Sequence, residues 1–361
     1  MNHELYMQRC LDLAAKGLRE AMPNPSVGAV LVYNGKIIGE GYTSPYGGPH
    51  GEVNCLNSVQ TQHRHLIKEA TLYVSLEPCS HYGKTPPCCD LIIQHEIKTI
   101  VIGTADPYKK VAGNGIRKLK EAGKEVIVGI LEKRCRDFNR RFFTFHEKKR
   151  PYVILKWAET ADGFISPLNE TRDKSDRPQD KKPVWITNVY SRQLVHKWRS
   201  EEMAILVGTN TVIHDNPKLD ARDWKGKNPI RIVLDRTNRI PDDYFVKNQK
   251  IKSIILTEIT NLPNLENFHT EKVAYNERLA FNILKVLYHH NLQSVIVEGG
   301  RQTLQMFIDA GIWDEVRVFK GQTLFYEGIP APVLCATEAE RHNIMNDELL
   351  IFRNHGEHYN I

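Results

Sequence analysis

A chain of 361 residues exceeds what one hydrophobic core usually supports, so two domains are expected. A net charge of +6 suits an anionic substrate but is too modest to be a nucleic-acid footprint. Seven scattered cysteines, an odd number, do not read as a disulfide framework. No apolar run approaches the ~18 residues of a membrane span, so neither a membrane nor a nucleic-acid partner is expected.

Met1 to Leu18 reads as an amphipathic helix without the apolar core of a signal peptide, which makes the cytoplasm the default location. Val27–Tyr33 and Lys36–Tyr42 are strands split by Asn34-Gly35, a strong hairpin signal. A helix is predicted from near His50 through Leu56, then a buried strand Leu72–Leu76 that delivers Cys79 at its C-terminal end. A second helix follows Cys88 through Gln94. Thr99–Gly103 and Glu125–Val128 read as strands with a helix over Ile116–Ala122 between them. Leu131–Lys149 reads as a solvated helix plus linker, which sets the domains at 1–148 and 149–361.

The second domain opens with the apolar run at Tyr152. Further strands are predicted at Ala204–Val207, Ile230–Leu234, Ser253–Leu256, Ser294–Val297 and Val316–Phe319. Helices are predicted at Val189–Arg199, Leu279–His290 and Gln302–Ala310. Thr171–Lys182 is polar and of mixed charge, and reads as a surface loop. Strands alternating with helices make both domains α/β. Gly299-Gly300, between a strand and a helix, could cradle a pyrophosphate or be a simple turn.

The chemistry sits in two segments, Pro49-His50-Gly51-Glu52 and Glu77-Pro78-Cys79 through Pro86-Pro87-Cys88. They supply one imidazole, two thiols and a carboxylate two residues after the imidazole. Two thiolates and an imidazole form a catalytic zinc set that leaves a fourth position for water, whose pKa falls from ~15.7 toward ~7. His50, Cys79 and Cys88 are the candidate ligands for one zinc ion per chain, with Glu52 as proton shuttle. Cys89 adjoins Cys88 and competes as a ligand.

This order of residues resembles the cytidine-deaminase signature, His-x-Glu followed by Pro-Cys and a second Cys. The gap of eight residues between Cys79 and Cys88 differs from the two of the nucleic-acid-editing enzymes. The segment from Pro78 to Cys88, with Asn24-Pro25-Ser26-Val27-Gly28-Ala29-Val30, is similar to the deaminase half of the bifunctional pyrimidine deaminase/reductases of riboflavin biosynthesis. Lys156-Trp157-Ala158, Trp185-Ile186-Thr187, Ile205 to Val212, Asp215-Asn216-Pro217 and Val297-Glu298-Gly299-Gly300 resemble their reductase half.

The resemblance implies a cytidine-deaminase-like α/β/α domain followed by a dihydrofolate-reductase-like α/β domain that uses NADPH. It implies cofactor contacts at Ala158, Trp185, Thr211 and Asp215, and at the turn Gly300, Arg301, Gln302 and Thr303. It implies substrate contacts at Lys156, Arg199, Leu219, Arg222 and Glu298 of the reductase; Asn24, Lys84 and Asp106 are expected to meet the deaminase substrate, Lys84 because its loop brings a cation near the metal and suits a phosphate. The residues alone leave Arg199 and Arg222 open as salt bridges, Lys156 with Glu298 as a structural ion pair, and Lys84 as solvent-exposed.

The implied substrate is a small phosphorylated pyrimidine, deaminated first and then reduced at its ribosyl group; a homo-oligomer is expected. Two departures stand out: Gly51 replaces the usual alanine, and Pro183 replaces a serine two residues before Trp185. Proline has neither hydroxyl nor N–H, so a relative with an inactive reductase half is one alternative. A nucleic-acid deaminase with an appended domain is the other.

Overall fold

The computed structural model describes residues 2–83, 86–108, 112–168, 184–262, 264–336 and 338–354. Lys84, Pro183 and the loop read over Thr171–Lys182 lie outside them. The chain divides into two compact units, Met1–Glu147 and Lys148–Ile361.

The first unit is built on a five-stranded sheet. Its strands are β1 (Gly28–Tyr33), β2 (Lys36–Tyr42), β3 (Thr71–Val74), β4 (Thr99–Ile102) and β5 (Glu125–Val128). The spatial order is β2-β1-β3-β4-β5, antiparallel at β1 and parallel from β3 to β5. Asn34 and Gly35 both take positive φ, 45° and 76°, which lets the β1–β2 hairpin turn in two residues. Alternation on the strands feeds two cores. Ala29, Leu31, Leu72, Val74, Ile100 and Ile102 face one side, against Leu56, Ile92 and Leu119 of the helices Gly51–Asn57, Cys88–Gln94 and Asn114–Glu121. Val30, Val32, Tyr73 and Val101 face the other side, against Met7, Cys10 and Leu11 of the helix His3–Ala14.

The stretch read as a solvated helix differs from that expectation. It forms two helices, Glu132–Phe138 and Arg140–Lys148, and the second buries Arg141, Phe142, Phe143, Thr144 and Phe145. Phe142 and Phe143 join the main core, so the aromatic content of the segment outweighs its charges.

The second unit carries a nine-stranded sheet. Its strands are β6 (Tyr152–Glu159), β8 (Ala204–Gly208), β9 (Ile230–Leu234), β10 (Ser253–Thr257), β11 (Phe268–Lys272), β12 (Ser294–Val297), β13 (Glu315–Lys320), β15 (Glu340–Ile344) and β16 (Asp347–Arg353). Two short strands, β7 (Phe164–Pro167) and β14 (Gly328–Pro330), pair apart from it. The order is β11-β10-β9-β8-β12-β6-β13-β16-β15, parallel except around β16. Leu155, Leu206 and Val297 pack on one face against Leu284 and Phe307, and Ile154, Ile205 and Ile296 pack on the other against Val195 and Trp198. The C-terminal ends of β6, β8 and β12 lie side by side, the edge at which parallel sheets of this kind bind ligands.

Candidate active sites

In the first unit, helix starts and strand ends bring the predicted donors together. His50 is the N-cap of the helix Gly51–Asn57, in extended backbone with no capping hydrogen bond from its side chain, so its ring is left for other partners. Cys88 opens the helix Cys88–Gln94. Nδ1 of His50 lies 3.6 Å from Cys79 Sγ and 3.4 Å from Cys88 Sγ, and the three ligand atoms all lie within 4.8 Å of one another. One nitrogen and two sulfurs at this spacing fit a tetrahedral zinc with one position left open. Cys89 is not in the cluster. Its thiol donates to the carbonyls of Pro78 at 3.3 Å and Gly115 at 3.6 Å, and burial pushes its pKa up.

The electrostatics of the trio suit a metal. The Cys88 thiol, the His50 ring and the Cys88 N–H at 3.3 Å pull the Cys79 thiol down to about 4, against the effect of burial. The hydrogen bond to Cys79 raises His50 to about 8. Glu52 is 3% exposed, and burial raises its pKa while the His50 ring opposes the shift. A carboxyl held above its usual range beside a metal site is suited to moving protons near neutral pH.

Sequence reasoning gave Glu77 no role. Its buried carboxylate accepts four backbone N–H groups: Asp106 at 3.1 Å, Gly113 at 3.0 Å, Gly115 at 2.9 Å and Ile116 at 3.2 Å. It thereby ties Asp106 and the Gly113–Ile116 turn to the strand end that carries Cys79. A Cβ at Gly115 would meet the Pro78 carbonyl at 2.1 Å, so only glycine fits there. Asp106 is nearly buried and accepts from the Tyr108 N–H at 2.7 Å; burial lifts its carboxyl to about 7. Asn24, partly buried, is held in a turn by its N–H to the Ala21 carbonyl at 3.0 Å.

In the second unit, register assembles a charged trio. Val297 pairs with Leu155, which sets Glu298 beside Lys156 at the ends of β12 and β6. Arg199, from the helix Val189–Glu201, donates two parallel hydrogen bonds to Glu298 at 2.9 and 2.8 Å, and Lys156 Nζ lies 3.6 Å from the same carboxylate. Burial works against the Glu298 charge, but the two cations and the Arg199 bonds hold its pKa down at about 2. Burial and the Arg199 charge lower Lys156, with Glu298 opposing. Arg222 is half-exposed and pairs with Asp220 at 2.5 Å, while the Leu219 side chain packs into the core.

Of the predicted cofactor residues, Thr211, Gly300 and Thr303 come together where the ends of β8 and β12 meet. The Gly300 N–H donates to Thr211 Oγ1 at 3.0 Å, and Gly300 caps the helix Arg301–Asp309. A Cβ at Gly299 would meet Thr303 at 3.0 Å and the Gly208 nitrogen at 3.2 Å, so a side chain there would need its neighbours to give by a few tenths of an ångström. Arg301 and Gln302 are exposed and Thr303 is buried. Asp215 ends the helix Thr209–Asp215, and Ala158 lies on β6. Trp185 is exposed, with the Arg192 guanidinium stacked 4.4 Å from its ring.

A family model described as the cytidine and deoxycytidylate deaminase zinc-binding region matches residues 1–104, and one described as the RibD C-terminal domain matches residues 151–325. The riboflavin biosynthesis protein RibD of Aquifex aeolicus is 40% identical over 329 residues, which is 90% of this chain and 88% of that protein. The chain belongs to the RibD family. RibD of Escherichia coli K12 is 33% identical over 352 residues, 93% of this chain and 91% of its own length. Among solved structures, a diaminohydroxyphosphoribosylaminopyrimidine deaminase/5-amino-6-(5-phosphoribosylamino)uracil reductase of Thermotoga maritima superposes with a TM-score of 0.84. It is 36% identical, with 98% of each chain covered. RibD of Acinetobacter baumannii superposes with a TM-score of 0.81 at 28% identity, covering 97% of this chain and 98% of its own.

The RibD family pairs a deaminase with a reductase in riboflavin biosynthesis, and both domains are present in this chain: a zinc-binding, cytidine-deaminase-like first domain and a dihydrofolate-reductase-like second one. Among the described residues no helix is long and apolar enough to cross a membrane.

Proposed function

We propose that the first domain deaminates 2,5-diamino-6-(5-phosphoribosylamino)pyrimidin-4-one and that the second reduces the ribosyl group of the resulting uracil to ribityl, with NADPH as hydride donor. The observation that carries the deaminase reading is the convergence of His50, Cys79 and Cys88 beside buried Glu52. His50, Cys79 and Cys88 hold zinc, which when bound makes a water molecule nucleophilic near neutral pH. Glu52 takes one proton from that water and passes it to a ring nitrogen, then carries the second, from the hydroxyl so added to the ring carbon, to the amine, which departs as ammonia. Asn24, Asp106 and Lys84 orient the pyrimidine and its phosphate.

In the reductase, Arg199 and Arg222 anchor the phosphate: the guanidinium of Arg222 can meet it with two parallel bonds, and Arg199, whose fork is held by Glu298, adds its charge. Lys156, Arg199 and Glu298 carry one surplus positive charge in a site that is largely out of solvent, which supports an anionic ligand there. Lys156, lowered by burial, moves the proton as the sugar ring opens, and Glu298, held ionised, keeps that lysine in place. Ala158, Trp185, Thr211, Asp215 and Gly300 through Thr303 hold the cofactor, which supplies the hydride. The chain acts in the cytoplasm as a homo-oligomer.

The test supplies the diaminopyrimidine phosphate to zinc-loaded protein and follows ammonia, then NADPH absorbance. Stoichiometric ammonia release before any NADPH oxidation is expected. NADPH oxidation with no preceding ammonia would overturn the order, and ammonia without oxidation would overturn the reductase half.

A further inference from the structure

The loop Lys218–Asp223 is held in an unfavourable conformation by groups outside it. Asn216 leaves the helix Thr209–Asp215 at φ 38°, and Leu219 follows at φ 51°. Leucine in the left-handed region is strained and persists where surroundings over-determine it, as at ligand clamps. Four side chains do so here, the first being Asn228, whose Oδ1 accepts from the Ala221 N–H at 2.9 Å. Arg231, 2% exposed, donates to the Lys218 carbonyl at 2.6 Å and the Phe245 carbonyl at 2.7 Å. Arg199 adds a bond to the Asp220 carbonyl at 3.3 Å while it grips Glu298. His196, one turn before Arg199 on the same helix, places Nδ1 3.0 Å from that carbonyl and Nε2 3.1 Å from the Asp223 carboxylate.

A carbonyl oxygen only accepts, so a hydrogen bond from His196 to Asp220 requires the proton on Nδ1. Burial and the Arg199 and Arg222 charges favour the neutral ring, and Asp223 and the Asp220 carbonyl pull the other way. With the proton on Nδ1, the bond to the loop is present whether the ring is neutral or is also protonated at Nε2 toward Asp223.

We propose that His196 is a positioning residue of the reductase: its Nδ1–H, bound to the Asp220 carbonyl, holds the Lys218–Asp223 loop in register with Arg199, so that Leu219 and Arg222 meet the phosphorylated substrate already placed. This rests on the reading of Arg199, Leu219 and Arg222 as substrate contacts. Sequence inspection does not single out His196, because its partners lie 24 and 27 residues away on the far side of β8.

The test compares His196→Leu, which has no donor, with His196→Asn, whose amide N–H can occupy the place of Nδ1–H, in the full-length protein. His196→Leu should raise KM for the ribosylaminouracil phosphate about tenfold, the value of one hydrogen bond of ~1.4 kcal/mol, with kcat within about threefold. His196→Asn should return KM to within about threefold of the unsubstituted protein. Equal KM in all three proteins overturns the proposal, and so does a loss in kcat alone that asparagine fails to restore. A second readout is independent of turnover: long-range 15N–1H spectra, with the His196 signal assigned by its loss in His196→Asn, should show a protonated Nδ1. A ring protonated only at Nε2 overturns the proposal. If the unsubstituted protein oxidises no NADPH, the reductase reading itself fails, and the tautomer still decides whether His196 holds the loop.

Discussion

Arg199 and Glu298 form a two-pronged ion pair, at 2.9 and 2.8 Å, at the meeting of a helix with the end of β12, and Lys156 shares the same carboxylate. Removing the anion strands two cations out of water. Glu298→Gln should therefore destabilise the second domain by about 3–5 kcal/mol, the usual cost of breaking a buried pair from one side. It should abolish NADPH oxidation and leave ammonia release intact. Denaturant melts and the two assays check this; a stable variant with normal NADPH oxidation would count against the trio.

The same carboxylate sets an acid limit. Its pKa is held near 2 in the fold and rises to the ordinary glutamate value of about 4.3 on unfolding. The folded value is the lower one, so the stabilisation is complete above about pH 4.3 and is lost as pH falls through the folded value. The window carries about 3 kcal/mol. Urea melts at pH 7, 4 and 3 should show a steeper acid loss in the unsubstituted protein than in Glu298→Gln. Parallel curves would assign the acid sensitivity elsewhere.

What could be read from the sequence was local. Asn34-Gly35 specifies its own turn, the apolar runs of β8, β9 and β12 fall where predicted, and the helix after His50 follows from its pattern. What escaped was non-local or on an edge. β15 pairs only with β16 and its residues Glu340–Asn343 are exposed, so it has no buried face to show as alternation. Glu77 finds partners 29 to 39 residues later, and nothing in its neighbourhood announces them. Resemblance, more than periodicity, made the reductase residues visible, since a lysine, an arginine and a glutamate far apart in sequence carry no spacing signal.

Adjacent cysteines should behave oppositely. Cys88 Sγ lies 3.4 Å from His50 Nδ1, whereas Cys89 Sγ is directed at the Pro78 and Gly115 carbonyls. Cys88→Ser should lose the bound zinc and ammonia release together, and Cys89→Ser should retain one zinc per chain. Metal analysis after dialysis checks both, and zinc loss in Cys89→Ser alone would exchange their roles. Stripping zinc from the unsubstituted protein with a chelator should stop ammonia release while NADPH oxidation of supplied uracil substrate continues.

Glu52 is separable from the metal it serves. It is not among the three donors but lies close enough to Cys88 to hydrogen-bond, and it is buried. Glu52→Gln should keep full zinc content and lose about 10²–10⁴-fold in ammonia release, the range of general acid–base catalysis. Near-normal turnover in a zinc-replete variant would remove Glu52 from proton transfer.

Glu77 should matter to the deaminase without touching its substrate. An amide at this position keeps one carbonyl oxygen and turns an NH2 group toward N–H groups that need acceptors. Gly113 and Asp106 donate to one carboxylate oxygen, Gly115 and Ile116 to the other, so Glu77→Gln unpairs two of the four. At roughly 1–3 kcal/mol for each buried group left unmade, the loss is about 2–6 kcal/mol, confined to the first domain. Hydrogen exchange should show the Gly113–Ile116 amides losing protection before those of the strands. If those amides exchange as slowly in Glu77→Gln as in the unsubstituted protein, the carboxylate is not what holds the Gly113–Ile116 turn in place.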